Sequence, residues 1–199
     1  MNGQVMARLS FQLYSARKFD LATILPHLAS IGLTEVEGYG GLYDDLATLR
    51  NSLDKNGLRM TSGHFDFAML RDSPETAIHI ARTLGMDAVI IPHLKPDERP
   101  ADFDGWLAFG QTLAQLGAPL VDAGLTFGWH NHDFEFLPCS NGRYPIEAIM
   151  DTSPDITLEL DLAWVHVAGL DPADWLQTYS GRLGGSACKG PRTGWRLRG

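Results

Sequence analysis

The stretch TFGWHNHDFEF, residues 126–136, begins as a short apolar strand and ends in a knot of imidazoles and acids. On a strand, alternate side chains share a face, so His130 and His132 project together while Trp129 and Asn131 point away. A strand that carries an aromatic on one face and delivers polar groups at its C-terminal end suits a buried parallel sheet with a site at one rim. Two imidazoles on one face there suit a divalent metal or acid–base work.

Outward from this stretch the same unit recurs. Residues 7–14, ARLSFQLY, read as a β-rich run, and 20–33, DLATILPHLASIGL, as a helix capped by Asp20 and stopped at Gly32. TEVEGYG (34–40) precedes the helical segment 43–58. RMTSGHF (59–65) precedes a helix at 73–86, with Ser73 as cap and Pro74 at its first position. DAVIIP (87–92) leads to a long helical stretch, 103–125. After 126–132 come a short helix at 145–153, a strand DITLELD (155–161) and a helix at 171–183.

Six β-α units in succession predict a parallel sheet covered by helices. A doubly wound sheet and a (β/α)8 barrel both satisfy that pattern. The first strand lacks the glycine-rich phosphate loop of a nucleotide-binding sheet. Polar residues sit at the C-terminal ends of many strands: Glu37, His64, His93, His130 with His132, and Asp161. In a barrel those ends meet at one mouth, so the expected fold is a TIM-barrel type, incomplete, with about six of eight units.

In LELD (158–161), Glu159 and Asp161 share a face, and Asp161, the last strand residue, is the stronger candidate. His27 and His79 lie within helices and read as structural. Trp106, Trp129, Trp164 and Trp175 read first as packing residues, one or two of which could serve a polyol as an apolar platform. No Gly-x-Ser-x-Gly elbow is present. Cys139 has no evident basic partner, and two cysteines make no disulfide framework.

The formal charge is −8, and the last 19 residues hold five bases and no acid, so residues 1–180 carry −13. That field argues against a nucleic-acid partner. No apolar run is long enough for a membrane span, no secretory signal is evident at the start, and the expected location is the cytoplasm.

The blocks WHNHDFEF and LELDLAWVHVAGLDP, with FQLYSAR, LASIGLTEVEGYG and YSGRL, resemble the sugar phosphate isomerase/epimerase family with a xylose-isomerase-like barrel. The resemblance spans nearly residues 8–183. It implies a divalent metal (Mn²⁺, Zn²⁺ or Mg²⁺) at the barrel mouth, with His130 (or its neighbour His132) and Asp161 as ligands. It also implies Glu37, His64 and His132 in proton transfer, and His93, Trp129, Asn131, Glu135 and Trp164 around a small carbohydrate. The implied reaction is isomerisation or epimerisation through an enediolate. A keto-sugar lyase or dehydratase shares the first step, and an endonuclease IV-like metal nuclease uses a similar barrel.

The family's His-x-Lys-Asp motif after Gly-Arg-Leu is missing. Read one base later, codons for residues 187–191 permit His-Val-Lys-Asp. The expectation is therefore a barrel domain over 1–183, an out-of-frame, disordered tail over 184–199, weakened metal binding or an inactive fragment, and a homodimer or poorly soluble product through open sheet edges.

Overall fold

In the computed structural model, which describes residues 9–187, seven strands form one sheet in the order of the chain, every neighbouring pair parallel. They are β1 (Ser10–Gln12), β2 (Glu35–Tyr39), β3 (Arg59–His64), β4 (Ala88–Ile91), β5 (Thr126–His130), β6 (Ile156–Asp161) and β7 (Leu183–Ala187). Eight α-helices connect them: α1 (Leu21–Ser30), α2 (Leu46–Lys55), α3 (Phe67–Asp72), α4 (Pro74–Leu84), α5 (Phe103–Asp122), α6 (Pro145–Asp151), α7 (Leu162–Val167) and α8 (Pro172–Thr178). Sequential parallel pairing with helical crossovers is the barrel topology, and the seven-stranded sheet curls as an open barrel that brings β3 against β6.

Helix boundaries follow local chemistry. The Asp20 side chain accepts the Ala22 N–H at the start of α1, and Gly32 supplies the positive φ of 88° just past its end. Asp45 caps α2 through the Thr48 N–H, and Gly85 closes α4 in the left-handed region. Ser73 stands at the cap position of α4 as expected, but its side chain makes no capping bond; Pro74 sets the start instead.

The outward strand face and the helices make the core. Val36, Met60, Val89, Phe127 and Leu158 are 0–1% exposed beneath helical residues such as Leu53, Ala81 and Leu113. Helix α5 lies on β5 at the distance a glycine allows. A Cβ on Gly117 would stand 2.2 Å from the Phe127 ring.

The inward face is of another kind. Ser10, Gln12, Glu37, Ser62, Thr126, Thr157 and Glu159 line an open cavity of about 590 Å³ between the strands. Complete barrels fill this space with bulky branched side chains; here hydroxyls and carboxylates share it with Leu9, Ala88, Ile90 and Leu183.

Three expectations change. The first strand is shorter than 7–14, because Leu13–Ala16 turns into a 3₁₀ helix. Helices α3 and α7 arise where none was expected, each started by an aspartate that caps its first turn, Asp66 and Asp161. The ordered sheet continues past 183: Leu183–Ala187 pairs with β6 from Leu158 to Asp161, so residues 184–187 are strand rather than tail. Residues 188–199, the rest of the expected tail, lie outside the described residues.

Candidate active site

Register places the polar side chains. Gln12, Glu37 and Ser62 occupy neighbouring positions on β1, β2 and β3, about 4.8 Å apart as adjacent strands are. Gln12 Nε2 donates to Glu37 Oε1 at 2.6 Å, and Ser62 Oγ donates to Glu37 Oε2 at 2.8 Å. On the opposite wall His130 of β5 is the register partner of Glu159 of β6. His64 ends β3 and reaches across the lumen, its Nε2 2.8 Å from Glu159 Oε2 and 3.2 Å from Glu37 Oε1. This contact between β3 and β6, 95 residues apart, is possible only because the sheet curls.

The resulting string runs Glu37–His64–Glu159–His130–Asp161. His130 Nδ1 stands 3.5 Å from Glu159, and His130 Nε2 stands 3.9 Å from Asp161 Oδ2. All five side chains are buried. Burial raises the carboxyl pKa of Glu37, helped by the charge of Glu159 and opposed by His64, Gln12 and Ser62. Burial also pushes Glu159 upward, but the charges and hydrogen bonds of His130 and His64 outweigh it and hold Glu159 below the usual carboxylate range. The two acids are thereby driven apart, one toward the protonated form and one toward the ionised form.

His64, His130 and Glu159 each offer a ligand atom, and the three atoms lie within 4.8 Å of one another. Two imidazoles and one carboxylate match in type the donor set of a catalytic zinc site built from two histidines and one glutamate. Imidazole donors favour Zn²⁺ or Mn²⁺ over Mg²⁺. The expected ligand pair is His130 with Asp161: Asp161 Oδ1 caps α7 by accepting the Ala163 and Trp164 N–H groups, its Oδ2 stands 3.9 Å from His130 Nε2, and Glu159 joins His130 in the compact donor set.

Other expected residues are redistributed. Strand β5 ends at His130, so His132 is not on a shared strand face. It sits in the following loop, its ring 5.3 Å from the His130 ring, 5.2 Å from that of His93 and 5.2 Å from that of Trp164. His93 is exposed at the same rim. Trp129, Asn131 and Glu135, expected around a substrate, are in the wall. Trp129 packs on Phe109 on the helix side and donates its indole N–H to Glu135 Oε1 at 3.1 Å. Glu135 Oε2 accepts the His132 backbone N–H at 2.8 Å. The Asn131 side chain accepts the Asp161 N–H and donates to its carbonyl, tying β5 to β6. None of the three is exposed. Gln12 and Ser62 carried no functional signal in the sequence; only the register of β1–β3 reveals them.

Neither family models nor curated protein sequences match this chain. Solved structures do. A sugar phosphate isomerase/epimerase from Parabacteroides distasonis aligns with a TM-score of 0.76 at 22% identity, over 92% of this chain and 75% of its own. An AP endonuclease, family 2, from Brucella melitensis aligns at 0.71 and 15% identity, over 91% and 78%. The IolI protein, solved with a bound zinc atom, aligns at 0.62 and 14%, over 89% and 70%. At these identities the likeness carries the fold alone: a TIM barrel, of which seven strands are described.

Proposed function

We propose that this chain is built for metal-dependent proton transfer on a sugar or keto-sugar, the chemistry of an isomerase or epimerase. The observation that carries it is the convergence of His64, His130 and Glu159 from three strands, with their ligand atoms within 4.8 Å. Those three would hold a divalent ion, which when bound supplies Lewis acidity toward adjacent carbonyl and hydroxyl oxygens.

The remaining work belongs to the protein's own groups. Gln12 and Ser62 fix both oxygens of Glu37, so the carboxyl is held beside His64 rather than free to rotate. A positioned carboxyl that passes a proton to and from a carbon beside a carbonyl contributes on the order of 10²–10⁴ in rate. Asn131 and Asp161 lock the walls on either side of His130. The neighbours named as sugar phosphate isomerase/epimerase and as zinc-bound IolI lend the reading support through the shared fold. The −13 charge of residues 1–180 weighs against the nuclease chemistry named in another neighbour.

The test is deuterium exchange. Ketoses, aldoses and inososes are incubated in D₂O with the chain and Mn²⁺ or Zn²⁺, and exchange at the carbon beside the carbonyl is read by NMR. The expected result is metal-dependent exchange with at least one of them, lowered about 10²-fold in Glu37→Gln. Loss of water from the same substrate identifies a dehydratase; absence of exchange across the panel with either metal overturns the reading.

A further inference from the structure

Acids outnumber bases 24 to 16 in this chain, so a guanidinium without an acid partner stands out. Arg50, Arg59, Arg71 and Arg143 each pair with a carboxylate, and Arg182 spends its donors on the carbonyls of Met150, Ser153 and Ile156. Arg17, Arg82 and Arg99 have no carboxylate partner among the described residues; the first two donate to the Tyr14 and Ala123 carbonyls at exposed positions, whereas Arg99 lies in the loop between β4 and α5, at the strand ends that carry the site. Arg99 Nε donates to the Leu94 carbonyl at 3.1 Å, and its guanidinium carbon lies over the Phe134 ring, 3.5 Å from the centroid. These two contacts fix the side chain while using one of five N–H donors. Nη1 and Nη2 have no partner among the described residues, and no carboxylate there is within ion-pair range.

Phe134 is also the hub of the imidazole rim. The His93 ring meets it edge-on at 6.1 Å, and the His132 ring lies nearly parallel to it at 6.0 Å. One aromatic ring therefore gathers a guanidinium and two imidazoles, all nitrogen donors, at the mouth beside a centre that holds the carboxyl groups of Glu37, Glu159 and Asp161 along with two imidazoles. The crowding has an electrostatic cost: burial and the charge of Arg99 both lower the pKa of His93, with Glu98 opposing.

We infer that Arg99, with His93 and His132, forms an oxyanion-binding subsite that receives a phosphate or carboxylate group carried by the substrate. A planar fork with free Nη donors matches such groups two bonds at a time, and stacking on Phe134 removes the side-chain entropy that binding would otherwise have to overcome. No phosphate cradle was legible in the sequence, because a lone arginine 35 residues before the aromatic it stacks on leaves no local motif.

Assigning the anion to a substrate rests on the proton-transfer reading above, but the binding itself does not. Metal-free chain is titrated with inorganic phosphate and, separately, acetate, and the imidazole C–H signals of His93 and His132 are followed by NMR. Saturable shifts at both are expected with at least one anion. They should weaken at least tenfold in Arg99→Met and less in Arg99→Lys, and stay unchanged in Arg17→Met, a second ring-stacked arginine on another loop. Tighter phosphate assigns a phosphorylated substrate, and tighter acetate a sugar acid. Shifts that do not saturate, that survive in Arg99→Met with its melting temperature intact, or that fall equally in Arg17→Met overturn the subsite. Absence of deuterium exchange alongside a saturable, Arg99-dependent shift would refute the reaction and leave the subsite standing.

Discussion

Glu135 shows how a residue can look functional in sequence and prove structural. It sits three positions past the last histidine of WHNHDFEF, where a substrate contact is expected, yet it is fully buried and spends its oxygens on Trp129 and His132. Burial raises its pKa to about 8, against the opposing pull of the N–H groups of His132, Glu135 and Trp129 and of the Arg99 charge. The unfolded carboxyl ionises near 4.5. Between those values the folded chain holds a proton that the unfolded chain has lost. Stability from this group is therefore complete below the lower value and declines as pH rises toward 8, at up to about 1.4 kcal/mol per pH unit. Urea denaturation of the wild type and Glu135→Gln between pH 5 and 8 should show the wild type losing stability relative to the variant. Parallel curves would refute the buried, proton-holding carboxyl.

At the scale of elements, hydrophobic periodicity and turn chemistry located six strands and most helices, because short apolar runs bounded by Asp caps and Gly stops are local signals. What it missed was also local in origin. The 131–136 loop continues an alternating pattern, so His132 read as strand although β5 ends at His130. LGGSA (183–187) has too few side chains to read as a strand and becomes β7 only by pairing with β6. Glu159 shares a face with Asp161 in the sequence, but only closure of the sheet brings it against His64, while one Asp161 oxygen caps α7. Close packing of α5 on β5 was likewise invisible until the distance was known. Gly117→Ala should destabilise the chain by about 1–3 kcal/mol, because the methyl would overlap the buried Phe127 ring. The denaturation midpoint checks this, and a change under 0.5 kcal/mol, roughly what an unconstrained surface site shows, would mean the helix rides farther from the sheet.

For the molecule as a whole, the consequence of curling seven parallel strands is that β3 and β6 face each other across a lumen, His64 touching Glu159. A flat, doubly wound sheet with the same strands would leave His64 and Glu159 far apart. The candidate centre is therefore a property of closure, and it was legible in sequence only as polar residues at strand ends. The central claim is that this closure assembles a divalent-metal site from His64, His130 and Glu159. The most direct measurement is an anomalous difference map from crystals of the chain grown with Mn²⁺. A single strong peak within coordination distance of those three side chains is predicted. A map with no peak in the lumen, or with manganese only on exposed acids such as Asp54 or Asp155, would contradict the account.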